Sequence, residues 1–196
     1  MKKENLIVVA LEGIDGAGKT TLINYIQQNL EEKTSIYERT KKNSLTDRLV
    51  SLKLFQKHYR LQIPIYFLLS YKNYIRFKRK APAKIIIMDR CFLSSICYFF
   101  PNALNNPNKL KAILFFEVKL LPQKIFVLDV NPALGKERDN NKKNIEWLIE
   151  TRNAYNNAST SLILNISKVE IIDENLTIDE KCNIILSYIK EKQNGD

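Results

Sequence analysis

The chain has 196 residues, enough for one domain with a sizeable core, and its 45% hydrophobic and 27% charged residues exclude a disordered chain. No apolar run approaches the roughly 18 residues of a membrane span. Lys and Arg number 31 against 21 Asp and Glu, and the resulting formal charge of +10 favours a polyanionic partner such as a nucleotide or a nucleic acid.

The first apolar run, Leu6 to Leu11, follows Met1-Lys2-Lys3 and superficially resembles the start of a signal peptide. It is short, has no cleavage-like small-residue site and runs straight into glycines, so it reads as a strand buried on both faces of a cytoplasmic protein. The following helix carries Leu22, Ile23, Ile26 and Leu30 on one face. Ser35 to Glu38 reads as a second strand. Helical patterns over about 46–57 and 61–80 follow, Pro64 lying near the start of the second, where proline is tolerated. Ile85 to Asp89 is the third strand, followed by helices at about 92–99 and 107–121. Ile125 to Asp129 is the fourth, with helices at about 132–138 and 144–158 behind it. Val169 to Ile172 is the fifth, and Ile178 to Lys190 a closing helix with Cys182, Ile185, Leu186 and Ile189 inward. Strands alternating with helices predict a single three-layer α/β/α domain over 1–196, its five-stranded sheet parallel. Ligands are expected at the carboxyl ends of the strands.

Gly13-Ile14-Asp15-Gly16-Ala17-Gly18-Lys19-Thr20 has the spacing of a phosphate-binding loop and sits between a buried strand and an amphipathic helix. Its glycines let successive N–H groups turn towards phosphate oxygens, and the helix N-terminus adds to that field. Lys19 is expected on the β- and γ-phosphates of ATP and the Thr20 hydroxyl on magnesium, with Gly13, Asp15, Gly16, Ala17, Gly18 and Thr21 completing the nucleotide site. Three of the five glycines of the chain lie in this loop. Asn141-Lys142-Lys143-Asn144 lacks the aspartate of a guanine-reading motif, which favours kinase over GTPase chemistry. Asp89 ends an apolar strand. If that strand lies beside the first, Asp89 reaches magnesium, through water, and Arg90 projects its fork towards an acceptor phosphate. Cys91, Cys97 and Cys182 have no metal or redox spacing and read as buried thiols. His58 is the single histidine and reads as a surface or packing residue. The basic run at 76–80 reads as a solvated face, so a nucleic-acid partner is not expected.

Leu11-Glu12-Gly13-Ile14-Asp15-Gly16-Ala17-Gly18-Lys19-Thr20-Thr21 resembles the phosphate loop of thymidylate kinases. Glu38-Arg39-Thr40 is similar to the segment in which the family places an arginine on the acceptor phosphate. Asp89-Arg90 with Ser94, Ser95 and Tyr98 resembles its Asp-Arg block, where an aromatic nine residues after the Asp lies against the deoxyribose. Glu146-Trp147-Leu148, Glu150, Arg152 and Tyr155 resemble the helix after its lid. The resemblance implies transfer of the ATP γ-phosphate to a nucleoside monophosphate, dTMP foremost, and a possible homodimer through 112–121. It assigns charge neutralisation to Lys19, Arg39, Arg90 and Arg138. The family reads the base with an aromatic and an arginine; here Phe67 supplies the first, and Tyr71 or Lys72 stands for the second. Cys91 departs from the family's usual residue, and the lid, about 138–144, is short. Asp15 contacts the acceptor or pins the loop. Glu12 either holds the loop by hydrogen bonds or, as in deoxynucleoside kinases, acts as a base on a nucleoside hydroxyl. A non-kinase ATPase acting on nucleic acid is a further alternative.

Overall fold

A strand whose side chains are apolar on both faces belongs inside a sheet, and β1 (Ile7–Glu12) is the middle strand of five parallel ones. The computed structural model describes residues 6–30, 32–38, 72, 74–77, 84–99, 104, 106, 121–140, 143–160 and 168–194. Across the sheet the order is β2 (Thr34–Glu38), β3 (Ile85–Asp89), β1, β4 (Lys124–Leu128) and β5 (Lys168–Ile172). Leu11 pairs with Asp89, so the third strand lies beside the first, as the expected position of Asp89 requires. On the other side Glu12 pairs with Val127.

Alternation along the strands divides the interior in two. Ile7, Val9, Leu11, Ile85, Ile87, Phe126 and Leu128 face one way and pack under α1 (Lys19–Asn29) and α5 (Ile178–Asn194). Val8, Ala10, Ile86, Met88, Ile125 and Val127 face the other way. They meet α2 (Phe92–Phe99) and α4 (Ile145–Thr160) through Phe92, Ile96, Leu148, Ala154 and Tyr155. Burying Leu22, Ile23 and Ile26 on α1 contributes about 2 kcal/mol per side chain. The result is the three-layer arrangement of P-loop NTPases. From β1 the chain crosses to one edge of the sheet and later to the other, so the carboxyl ends of β3, β1 and β4 border a crevice at that switch point.

Four strands are displaced by one residue from the sequence reading. β1 runs from Ile7 to Glu12 rather than Leu6 to Leu11, because hydrogen bonds let the Glu12 carboxylate continue a buried strand. β4 begins at Lys124 and releases Asp129 to an ion pair, and β2 and β5 each begin one residue early. Leu121, expected to end a helix, has no helical conformation, since Pro122 disfavours it in the residue before. Residues 72 and 74–77 are helical as expected. The patterns at 46–57 and 107–120, and the rest of 61–80, lie outside the described residues.

Candidate active site

The loop from Gly13 to Gly18 joins β1 to α1. Gly18 caps α1 with φ 85° and no side-chain hydrogen bond, which leaves the first N–H groups of the helix for a ligand. A second helix closes on this loop from behind. In α3 (Pro132–Arg138), capped by the Asn131 side chain on Ala133 N, Gly135 lies against Gly16. A Cβ on Gly16 would fall 2.1 Å from the Gly135 carbonyl oxygen, and one on Gly135 would fall 2.9 Å from the Asp15 carbonyl oxygen. Backbone meets backbone there, and neither side has a flexible end that can yield.

Lys19 begins α1 but folds back beneath the loop. Its Nζ donates to the carbonyls of Gly13 at 3.1 Å and Ile14 at 2.9 Å. Burial, followed by the charge of Arg90, lowers its pKa to about 8. Thr20 and Thr21 are exposed on the first turn of α1. Asp89 ends β3, and its Oδ1 is buried without a hydrogen-bond partner among the described residues. Burial raises its carboxyl pKa, opposed by the nearby Lys19 and Arg90. A buried carboxylate oxygen without a hydrogen-bond partner among the described residues, at the carboxyl end of the strand beside β1, fits a divalent cation or the water of one.

Arg90 has φ 70°, a conformation rare outside glycine and frequent at constrained sites. Several contacts hold it there. Its N donates to the Leu11 carbonyl, Nη1 donates to Gly13 O at 3.1 Å and to Ser94 Oγ at 3.3 Å, and Nη2 pairs with Asp15. Its guanidinium lies 5.1 Å from the Tyr98 ring centre. The Gly13 carbonyl oxygen is therefore shared by Lys19 and Arg90, which brings a cation from the start of α1 and one from just after β3 to one atom.

Glu12 is fully buried, and its carboxylate accepts four hydrogen bonds. Oε1 takes the amides of Cys91 at 2.7 Å and Ser94 at 3.1 Å, and Oε2 takes the Ser94 hydroxyl and, at 2.9 Å, the Tyr155 hydroxyl. It thus caps α2 from the neighbouring strand rather than holding the loop that follows it. On the outer side of Tyr98 stands Trp147, 4.9 Å between ring centres, with the Lys143 ammonium 4.9 Å beyond. The Tyr98 hydroxyl is buried without a well-formed hydrogen bond, and burial raises its pKa.

Of the residues expected from sequence, the fold brings together Glu12, Gly13, Asp15, Lys19, Asp89, Arg90 and Tyr98. Asp15 is tied to Arg90. Arg138 ends α3 and is exposed, and Lys72 is helical and exposed. Arg39, Phe67 and Tyr71 lie outside the described residues. Sequence reasoning missed Gly135, although a glycine within a helix, in a chain with five, is an available signal. It also missed the roles of Ser94 and Tyr155 on Glu12, for which a single sequence carries no signal.

No helix among the described residues is long and apolar enough to cross a membrane. The family model described as "Thymidylate kinase" matches residues 11–175. The chain is 29% identical over 187 residues to "Thymidylate kinase" of Fervidobacterium nodosum, covering 88% of this chain and 92% of that one. It is 24% identical over 203 residues to "Probable thymidylate kinase" of Archaeoglobus fulgidus, covering 97% and 100%. With "Probable thymidylate kinase 1" of Saccharolobus solfataricus it shares 30% identity over 95 residues, 46% of this chain and 49% of that protein. A family match over most of the length, on a P-loop architecture with its cations gathered at the phosphate loop, means that the chain belongs to the thymidylate kinase family.

Proposed function

We propose that this protein transfers the γ-phosphoryl group of ATP to a nucleoside monophosphate, with dTMP the preferred acceptor. The observation that carries the reading is the meeting of Lys19 and Arg90 at the Gly13 carbonyl. One cation belongs to a nucleotide-binding loop and the other stands after an adjacent strand, so a donor and an acceptor phosphate would be drawn to one place. The names of the relatives favour dTMP among acceptors.

The acceptor phosphate has a second pKa of about 6 and is mostly a dianion at neutral pH, so its oxygen attacks without a base. The new P–O bond forms at that oxygen as the bond to the β-phosphate oxygen breaks, and ADP leaves with the electron pair. The work left to the protein is alignment and charge neutralisation. Lys19 leaves its two carbonyls for the donor phosphates, Arg90 takes the acceptor phosphate, and Arg39 and Arg138 add positive charge. Thr20 and Asp89 would hold magnesium, which when bound screens the charge of the donor phosphates. In this reading Tyr98 flanks the sugar, Phe67 with Tyr71 or Lys72 recognises the base, and Asp15 steers Arg90.

A nucleoside acceptor would require a base, and Glu12 is badly placed for that work. Its oxygens are already taken by four donors and it has no exposed surface. The test is ADP release from Mg–ATP across a panel of nucleoside monophosphates and thymidine. Turnover with dTMP is expected, and Lys19→Ala is expected to lower it at least about 100-fold. Turnover with thymidine but not its monophosphate would instead make Glu12 a base. Hydrolysis stimulated only by nucleic acid would remove the kinase reading.

A further inference from the structure

Arg90 touches the Ser94 hydroxyl, Ser94 donates to Glu12, and Glu12 accepts from Tyr155, so a chain of three buried groups runs from the acceptor-side arginine to α4. The Tyr155 hydroxyl also lies 3.2 Å from Ser94 Oγ, which closes a triangle behind the arginine. We propose that Tyr155 is a positioning residue for the acceptor phosphate, setting the angle of Arg90 through Glu12 and Ser94. This rests on the monophosphate kinase reading and adds to it a residue that touches neither substrate.

Three observations favour this role over packing alone. First, Arg90 is held in a left-handed backbone conformation, so its guanidinium depends on side-chain contacts for its direction. Among the side chains that hydrogen-bond to that guanidinium, Asp15 belongs to the loop that must accommodate ATP, whereas Ser94 is fixed by the interior. Second, the Ser94 hydroxyl has one proton. Donating it to Glu12 leaves a lone pair directed to Arg90, and a second donor on the same carboxylate oxygen, Tyr155, fixes where that carboxylate sits. Third, α4 begins immediately after the expected lid. It reaches the same arginine by a second route, Trp147 on Tyr98 and Tyr98 on Arg90. A displacement of α4 is thereby felt at Arg90 from two sides, one polar and one aromatic.

Tyr155→Phe removes a single oxygen and keeps the ring among its neighbours. The expected result is a loss of about tenfold in kcat/KM for the monophosphate, with KM for ATP changed less than about twofold. Tyr25→Phe, which loses a surface hydrogen bond to Asp179, is the control and leaves both constants as they are. In a Ser94→Ala background Tyr155→Phe is expected to have no further effect, because the chain is already cut. Glu12→Asp keeps the charge and shortens its reach, and it provides the same selective loss by a second variant. Kinetics of Tyr155→Phe matching the control, an equal rise in the KM for ATP, or losses that multiply in the double variant would each overturn the proposal while leaving the kinase reading intact. A wild-type protein without monophosphate-dependent turnover would overturn both.

Discussion

Gly135 shows what a single residue can constrain at a distance from the chemistry. An alanine in its place would gain about 1 kcal/mol of helix propensity in α3, but its Cβ would press on the Asp15 carbonyl at 2.9 Å and on Ile14 Cδ1 at 3.1 Å. The carbonyl belongs to the phosphate loop and cannot turn aside. We therefore expect Gly135→Ala to leave the unfolding midpoint within a few degrees of the parent while ADP affinity falls about tenfold by calorimetry. Unchanged affinity would mean that the loop tolerates the shift. At this scale the sequence was legible where spacing alone defines the group, as in Gly13 to Thr20. It was illegible where the role depends on a neighbour in space. Glu12 is one residue from the loop in the chain, yet its partners Cys91, Ser94 and Tyr155 come from two other elements.

Elements were read well wherever their environment is uniform. Ile85 to Ile87 and Ile125 to Leu128 are buried on both faces, so an unbroken apolar run marks them directly. The one-residue displacements of β1 and β4 occur where a polar side chain, Glu12 or Asp129, is accommodated by a specific partner, which periodicity cannot register. α5 illustrates a local device. Thr177 and Glu180 bond reciprocally across its first turn, with the Thr177 amide and hydroxyl on the Glu180 carboxylate and the Glu180 amide on the Thr177 hydroxyl. The backbone hydrogen bond, followed by the hydroxyl, lowers the Glu180 pKa from its ordinary value of 4.5. A carboxyl whose folded pKa is depressed contributes stability above its unfolded pKa and loses it as pH falls through the folded one. Glu180→Ala is therefore expected to unfold at lower urea than the parent at pH 7, and the gap should narrow as pH drops below 4.5. A gap independent of pH would assign the effect to something other than the carboxylate.

For the whole molecule the sheet is a partition. Cys91 and Cys97 lie in the interior between the sheet and α2 and α4, whereas Cys182 lies in the interior on the opposite face. All three are buried as reduced thiols. A thiol reagent in native buffer is expected to modify none of them quickly. If the two interiors unfold as one unit, all three should become reactive at a single rate that rises with denaturant. Earlier reaction of Cys182 would instead show that the α1–α5 layer opens by itself. The layered arrangement itself was readable from alternation of strand and helix, but the division of its thiols was not, since it depends on which way each helix crosses. Trp147 adds a different kind of consequence. It is the one tryptophan in the chain, wedged between the Tyr98 ring and the Lys143 ammonium. All indole emission from this protein therefore originates at the start of α4, against the Tyr98 ring that touches Arg90, and unlabelled protein carries its own optical gauge of that spot.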